Sequence, residues 1–251
     1  MRLAKRGKLI YDEDLTGLEG VFKDRQEAGE ALGKACSEVL GEADLVYAIP
    51  RGGVPVAVPV AEALDAELDL LICRKLLIPW NREAGFGAVG PDGSVFVDRD
   101  FARYLGLSER AIREAVEEQL REISWRNERL RGGRGYPASL EGKKVVLVDD
   151  GVAAGYTMSA ALRFVKARRP REAVVAVPTG HLPSLLRLSS EADLVICLNV
   201  RSGYVFAVAD AYRSWRDLTD QDVLEILGGQ IITGPIRPRR PSGPHGIHHG
   251  L

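Results

Sequence analysis

The 251-residue chain has few cysteines and no long apolar run. Its three cysteines, Cys36, Cys73 and Cys197, are widely separated, which argues against a disulfide framework and favours free thiols in a reducing compartment. No apolar run approaches the roughly 18 residues that a membrane-spanning helix needs. The basic segment Met1–Lys8 lacks a following apolar core, so a secretory signal is not expected. These absences predict a cytoplasmic protein without a membrane partner.

The chain also lacks an excess of charge of either sign. Its formal net charge is -1 and its pI is near 6.5, which does not suggest a dedicated nucleic-acid binder. Residues 229–251 are rich in Pro and Gly, and such a segment cannot bury enough apolar area to offset its ordering entropy. We therefore predict one domain over residues 1–228, followed by a flexible tail over residues 229–251.

The most informative segment runs from Val145 to Thr157. The apolar run Val145–Val148 is typical of a buried parallel strand, and Asp149 and Asp150 follow it directly. Carboxylates at the end of a strand can accept hydrogen bonds from sugar hydroxyls, and free amides at the start of the next helix can bind phosphate. The sequence therefore predicts a site for a phosphorylated sugar. Its phosphate loop consists of Gly151, Val152, Ala153, Ala154, Gly155, Tyr156 and Thr157.

Two further groups of residues lie upstream in positions that suit an anion. Arg51, Gly52 and Gly53 follow the apolar strand Leu45–Ile49, and paired glycines allow close approach of backbone to an anion. The segment Asp69–Cys73 is predicted as a second strand. Arg74 and Lys75 come directly after it and are expected to face the ligand crevice of an open α/β sheet, although a solvated basic pair is the alternative.

These motifs, in this order, resemble those of type I phosphoribosyltransferases. The series Arg74–Lys75, Pro79, Asn81, Glu83 and Gly87–Val89 is similar to that of a bacterial and archaeal subgroup of phosphoribosyltransferase-like proteins. The resemblance implies 5-phosphoribosyl-1-pyrophosphate (PRPP) as a ligand and Mg²⁺ as the cofactor. It also implies a mobile loop over residues 76–87 that closes over PRPP, with Trp80 and Phe86 either stacking on a base or anchoring the loop.

The resemblance also implies a role for each site residue. Asp149 and Asp150 would hold the ribose hydroxyls, and would meet Mg²⁺ mostly through ligand and water oxygens. Arg51, Arg74 and Lys75 would neutralise the pyrophosphate, to which the Gly52–Gly53 backbone would also bind. The loop Gly151–Thr157 would bind the 5′-phosphate, chiefly through Ala153–Thr157. The Pro50–Arg51 peptide is expected to be cis, as in similar pyrophosphate loops.

Three residues of the phosphate loop depart from common family patterns. Many members have Thr where this chain has Ala154, although orotate-type enzymes have a similar loop with Ala at that position. Many members also have a small residue where this chain has Tyr156. Ala153 stands where hypoxanthine-guanine-type enzymes have an Asp that assists proton transfer to the purine. That difference argues against an enzyme of that kind, whereas adenine-type enzymes have Ala there.

The alternation of strands and helices in the remaining segments predicts an α/β fold with a mostly parallel sheet and helices on both faces. The resemblance implies that this fold is of the type I phosphoribosyltransferase kind, with a small hood from the start of the chain and from residues after about Thr179. The apolar stripe of the predicted helix Ser108–Arg131 is suited to packing either in the core or against a second subunit. The pattern therefore leaves open whether the chain forms a homo-oligomer. Arg131–Arg134 is expected to end that helix through a glycine cap, and an added phosphate contact is the alternative. Other predicted elements are the helices 24–40 and 219–227, the hairpin 89–97, and the strands 173–178 and 194–198.

The predicted function is transfer of a 5-phosphoribosyl group from PRPP to a nitrogen acceptor, with release of pyrophosphate. A nucleobase or related amine is the expected acceptor, but the motifs do not identify it. Two alternatives stay open at this point. One is a non-catalytic regulator that senses PRPP or a nucleotide, and the other is a hydrolase that uses water as the acceptor.

Overall fold

The computed structural model describes residues 1–229 and 231–238. None of its described helices is both long enough and apolar enough to cross a membrane. In chain order its strands are β1 (Leu3–Arg6), β2 (Leu9–Asp12), β3 (Leu45–Ala48), β4 (Glu67–Leu70), β5 (Arg74–Ile78), β6 (Asn81–Val89), β7 (Val95–Val97), β8 (Lys144–Val148), β9 (Glu172–His181) and β10 (Leu194–Arg201). Its α-helices are α1 (Arg25–Leu40), α2 (Gly53–Ala63), α3 (Arg99–Tyr104), α4 (Glu109–Arg131), α5 (Tyr156–Lys166), α6 (Leu182–Glu191) and α7 (Asp220–Ile226).

The main sheet has the order β1-β2-β10-β9-β8-β3-β4, and all pairs except β1–β2 are parallel. Helices α1 and α2 lie with one apolar cluster on one face of the sheet, and α5 and α6 lie with a second cluster on the other. The apolar runs in β3, β8 and β9 arise because both faces of these central strands are covered. The predicted mostly parallel α/β fold is therefore confirmed.

Side-chain and glycine caps set the boundaries of helices α1 and α4. Asp24 accepts a hydrogen bond from the Glu27 amide at the start of α1, and Ser108 accepts one from the Ala111 amide at the start of α4. Gly132 ends α4 in a left-handed conformation, so the predicted glycine cap is also confirmed. The apolar stripe of α4 packs into a small core beside β5 and β6, in which Ile112 and Ile123 are buried.

A second sheet corrects two predictions about residues 69–87. The predicted strand Asp69–Cys73 ends at Leu70, and β5 begins at Arg74 in a separate antiparallel sheet of order β5-β6-β7. The segment predicted as a loop over residues 76–87 is instead mostly the β5–β6 hairpin, with irregular register at Leu76 and Leu77. Tertiary packing explains the difference, because Leu76 and Phe86 are buried against α4 in the small core. The predicted hairpin over residues 89–97 is confirmed as the β6–β7 turn.

Both ends of the described chain pack on the main sheet. The β1–β2 hairpin adds to the sheet through the pairing of β2 with β10. Residues 231–238 begin within the predicted tail but pack on the domain, because Ile232 is buried and Ile236 forms an antiparallel bridge with Leu68 of β4. The rest of the predicted tail, residue 230 and residues 239–251, lies outside the described residues.

A buried ion cluster explains the Arg-Gly-Gly-Arg segment that ends α4. Asp69 accepts hydrogen bonds from Arg131 Nε at 3.1 Å and Nη2 at 3.0 Å, and from Arg134 Nη2 at 2.6 Å. The Arg131 guanidinium also lies 3.8 Å from the ring centroid of Tyr136. Asp69 and Arg131 are both almost fully buried, so this pair ties α4 and the chain after it to β4.

We expect Arg131→Met to lower the free energy of unfolding by about 3–5 kcal/mol, because it leaves the buried Asp69 carboxylate without its main partner. Urea denaturation followed by circular dichroism measures this change. Arg129→Met is the matched control, since Arg129 is exposed on the same helix, and it should change the free energy by less than about 0.5 kcal/mol. Equal stability of the two variants would contradict a structural role for the Asp69–Arg131 pair.

Candidate active site

Two loops leave neighbouring parallel strands and meet at one edge of the main sheet. Strands β3 and β8 pair with Ala48 opposite Val148. The loop Pro50–Gly53 follows β3, and Asp149 and Asp150 follow β8. The crevice outside the carboxyl ends of such strands is the usual ligand site of an open α/β sheet. The structure therefore brings the two predicted motifs together.

Asp149 and Asp150 form a largely buried acidic pair, in which the Asp150 side chain is 15% exposed. Burial is the main cause that raises the pKa of Asp149 well above its usual range, and the charge of Asp150 raises it further. Burial also raises the pKa of Asp150, although the charge of Arg25 opposes this increase. Two adjacent carboxylates with raised pKa values are suited to a ligand that brings hydroxyl donors or a divalent cation.

Arg25 supplies a counter-charge to this pair from the first turn of α1. Its Nε donates a hydrogen bond to Asp150 Oδ2 at 2.8 Å, and its Nη1 donates to the backbone oxygen of Arg216 at 2.9 Å. The guanidinium lies 3.6 Å from the ring centroid of Trp215. The hydroxyl of Tyr212 donates to the backbone oxygen of Asp150 at 2.5 Å. These residues from early and late parts of the chain thus form one wall of the site.

Gly52 and Gly53 allow the first loop to lie directly against the acidic pair. A Cβ atom on Gly52 would lie 1.8 Å from Asp150 Oδ2, and one on Gly53 would lie 2.7 Å from the backbone oxygen of Val148. Any larger residue would therefore displace the loop or the carboxylate. The Pro50–Arg51 peptide is cis, as predicted, and Arg51 is exposed at the rim.

The phosphate loop joins Asp150 to the amino terminus of α5. Val152 anchors it, because its N–H donates to Thr179 O at 3.0 Å and its carbonyl accepts from the His181 N–H at 2.8 Å. Gly155 has a φ of 75° and precedes the first helical residue, Tyr156. The first amides of an α-helix have no partner within the helix, so this end of α5 offers donors to a phosphate.

Two adjoining clefts meet at Asp149. The first has a volume of about 580 Å³ and contains the acidic pair and the phosphate loop, with Phe101, Val208 and Trp215 on its walls. The second has a volume of about 340 Å³ and is lined by Ile49, Pro50, Cys73, Arg74, Lys75, Leu77, Arg126, Asp149 and Thr157. Lys75, Asp149 and Thr157 line both clefts. A sugar in the first cleft would therefore lie beside an anion in the second.

Comparisons with known proteins identify the family. Residues 92–209 match the family model described as a phosphoribosyl transferase domain. A solved structure, that of TT1426 from Thermus thermophilus, is 39% identical with a TM-score of 0.67, over 82% of this chain and 97% of that chain. Two proteins of Mycobacterium tuberculosis, named "Putative phosphoribosyl transferase Rv0571c" (strain H37Rv) and "Putative phosphoribosyl transferase MT0597" (strain CDC 1551), are 39% identical over 207 residues.

The chain belongs to the phosphoribosyltransferase family. The matches to the two mycobacterial proteins cover 82% of this chain and 46% of each relative, so the chain spans about half the length of the curated relatives it matches. The family model includes the acidic pair and the phosphate loop but begins after Arg51, Arg74 and Lys75.

In this phosphoribosyltransferase domain, Tyr156 ties the phosphate loop to the second sheet. Its hydroxyl donates to Asp98 Oδ2 at 2.9 Å, and its ring stacks on Phe96 with 5.6 Å between the centroids. Burial and the neighbouring Asp98 raise the pKa of Tyr156 to about 12. The large residue at a place where many family members have a small one thus has a structural role.

The basic residues Arg74 and Lys75 reach the second cleft from an element that the sequence did not predict. Arg74 and Lys75 begin the antiparallel strand β5, rather than following a strand of the main sheet, yet both line the second cleft. Arg74 Nε donates to the Oε1 atom of Gln119 at 3.3 Å, so α4 positions this side chain. Arg126 of α4 lines the same cleft.

Other aromatic and polar residues that the sequence singled out lie elsewhere. Phe86 is buried in the small core, which leaves it no face for a base, and Trp80 is exposed between β5 and β6. Thr179 of β9 is also buried, and its hydroxyl donates to Asn199 Oδ1 at 2.7 Å. Three further residues of the site were not predicted from the sequence: Arg25, Arg126 and Trp215. No local motif marks a lone arginine or tryptophan that tertiary folding brings to a site.

We expect the parent chain to bind PRPP, and Gly52→Ala to bind it about 10-fold or more weakly, because the added Cβ overlaps the Asp150 carboxylate and displaces a charge-assisted contact. Isothermal titration calorimetry with PRPP and Mg²⁺ measures the effect. Gly135→Ala is the matched control, since no heavy atom lies within 4 Å of a Cβ at that position. Unchanged affinity in Gly52→Ala would show that the close approach is not required for binding.

The raised pKa of Asp149 also predicts a pH-dependent stability difference. Between the unfolded-state pKa, about 4, and the higher folded-state pKa, the native state binds more protons than the unfolded state, so the contribution of this group falls as pH rises. Asp149→Asn should therefore become increasingly more stable than the parent from about pH 4 towards neutral pH. Thermal melts across this range measure the difference. The exposed control Asp100→Asn should show no such trend, and a constant difference for Asp149→Asn would contradict the assignment.

Proposed function

We propose that this chain transfers a 5-phosphoribosyl group from PRPP to a nitrogen acceptor and releases pyrophosphate. The observation that carries the proposal is the meeting of two clefts at Asp149 and Lys75. One cleft offers carboxylates and helix-terminal amides, which suit a sugar with a 5′-phosphate. The other is lined by Arg74, Lys75 and Arg126, which suit a pyrophosphate. PRPP contains both groups on one ribose.

In this proposal the phosphate loop and the acidic pair hold the sugar. The amides of Ala153–Thr157 and the Thr157 hydroxyl bind the 5′-phosphate at the start of α5. Asp149 and Asp150 accept hydrogen bonds from the ribose hydroxyls. Their negative charge also favours the positive charge that develops on the ribose ring as the bond at C1 breaks.

The residues present fit the Mg²⁺ that the family implies. Among the described residues, no group of three or more His, Cys, Asp or Glu side chains is placed to bind a metal ion. These residues therefore do not provide a full set of metal ligands by themselves. Mg²⁺ is commonly bound by one or two carboxylates together with substrate phosphates and water. Asp149 and Asp150 would hold it, mostly through ligand and water oxygens, and their raised pKa values indicate that a nearby cation would stabilise their charged forms. When bound, the ion would neutralise charge on the pyrophosphate.

The chemical step exchanges one bond at C1 for another. The C1–O bond breaks, and its electron pair leaves with the pyrophosphate oxygen, where Arg51, Arg74 and Lys75 stabilise the added charge. The lone pair of the acceptor nitrogen forms the new bond to C1, and the acceptor loses a proton to solvent. Ala153 supplies no proton acceptor, so an acceptor that needs a side-chain base at that place is disfavoured.

The walls of the first cleft favour a planar acceptor. Trp215 and Phe101 both line it, together with Val208, beside the acidic pair. Aromatic side chains bind flat rings by stacking, which is tolerant of the ring's identity. A nucleobase or a related heteroaromatic amine therefore matches this cleft better than an aliphatic amine does.

We expect the parent protein to release pyrophosphate from PRPP and Mg²⁺ in the presence of at least one nucleobase or related amine. Replacing both carboxylates, Asp149→Asn with Asp150→Asn, should weaken PRPP binding by about 100-fold, because it removes two charge-assisted contacts to the ribose. Calorimetry measures the affinity, and an enzyme-coupled pyrophosphate assay across a panel of acceptors measures turnover. Asp100→Asn serves as the exposed carboxylate control.

The outcomes separate the alternatives. Pyrophosphate release that requires an added acceptor supports the transferase. Release at the same rate with water alone would instead identify a phosphoribosyl hydrolase. Tight PRPP binding without turnover on any acceptor would indicate a non-catalytic sensor, and unchanged PRPP affinity in the double variant would refute the role of the acidic pair.

A further inference from the structure

The second cleft is strongly positive. Three of its lining side chains are cations, Arg74, Lys75 and Arg126, and one is a carboxylate, Asp149. Arg51 adds a fourth positive charge at the neighbouring loop, close enough to affect Arg126. Like charges at such separations repel one another, so this arrangement is stabilised when a polyvalent anion enters.

Arg126 differs from the other cations because it is nearly buried. Its side chain is 12% exposed, and its described ion-pair partner, Asp220 at the start of α7, is 9% exposed. The distance from Arg126 Nε to Asp220 Oδ1 is 3.5 Å, and this carboxylate oxygen makes no hydrogen bond in the described structure. Burial is the main cause that lowers the pKa of Arg126, and the nearby Arg74 and Arg51 contribute. Asp220 thus compensates the buried guanidinium only partly.

Helix α4 contributes to the cleft in two ways. Gln119 accepts the hydrogen bond that positions Arg74, and Arg126, two turns further along, faces the same cleft. The buried pair Asp69–Arg131 fixes the carboxyl-terminal end of the helix. A rigid element therefore holds Arg126 beside the anion site, which lowers the entropy lost when an anion binds.

We propose that Arg126 is a pyrophosphate-binding residue, which donates hydrogen bonds from its guanidinium to the pyrophosphate in the second cleft. The inference rests on the proposed function and adds to it a binding residue that no motif of the chain indicates. Asp220 holds the guanidinium in place before the anion binds. Pyrophosphate, with its higher charge, then accepts hydrogen bonds from the guanidinium N–H groups that face the second cleft.

The test measures the affinity of the full chain for inorganic pyrophosphate with Mg²⁺, by calorimetry, for the parent and for Arg126→Met. Loss of a charge-assisted contact should weaken binding by about 10- to 100-fold. Arg126→Lys should recover only part of the loss, because a lysine keeps the charge but not the planar pair of donors. Arg129→Met is the matched control, since it removes the same charge from an exposed place on α4, and its affinity should equal that of the parent.

A second variant keeps the test valid if Arg126→Met unfolds the chain. The double variant Arg126→Met with Asp220→Asn removes both charges of the pair, so no buried carboxylate is left alone. It should melt close to the parent temperature and still show the weakened pyrophosphate binding. Parent-like affinity in a folded Arg126 variant would overturn the inference and leave the proposed function standing. A parent protein that binds neither pyrophosphate nor PRPP would instead refute the proposed function, and the inference with it.

Discussion

Two adjacent, largely buried carboxylates at the end of one strand are the constraint around which the site is arranged. Asp149 and Asp150 lose solvation where β8 ends, so the residues near them must be small or positively charged. Glycines form the loop that touches them from β3, and Arg25 forms the described ion pair with Asp150. The surrounding structure tolerates the unfavourable pair because it is built on rigid, covered parallel strands. Such stored repulsion is typical of a binding site rather than of a stabilising core.

The positive charges of the site come from separate elements. Arg25 belongs to α1, Arg74 and Lys75 to β5, and Arg126 to α4, so two helices and the small sheet must pack correctly before the clefts exist. Because the cations belong to separate elements, few like charges repel one another within any one segment of the chain. It also makes the anion site sensitive to the packing of α4, whose end is fixed to β4 by the Asp69 cluster.

Much of the fold and part of the site could be predicted from sequence, because the signals are local. The apolar run before Asp149 and the caps at Asp24 and Ser108 depend on neighbouring residues only. The β5–β6 hairpin was missed because its glycines and proline resemble loop residues, whereas burial of Phe86 against α4 decides its structure. Arg25 was missed for a related reason, since it is 125 residues from its partner Asp150. Contacts at such separations leave no periodic pattern in the chain.

The bridge between Ile236 and Leu68 has a consequence for how copies of the domain behave towards one another. Strand β4 is at one edge of the main sheet, and the Leu68 N–H and C=O are occupied by Ile236, at 2.7 and 2.8 Å. An uncovered edge strand offers a row of backbone donors and acceptors to any other extended chain. Residues 231–238 therefore cover this edge at Leu68, so fewer of its backbone groups are open to edge-to-edge pairing with another copy.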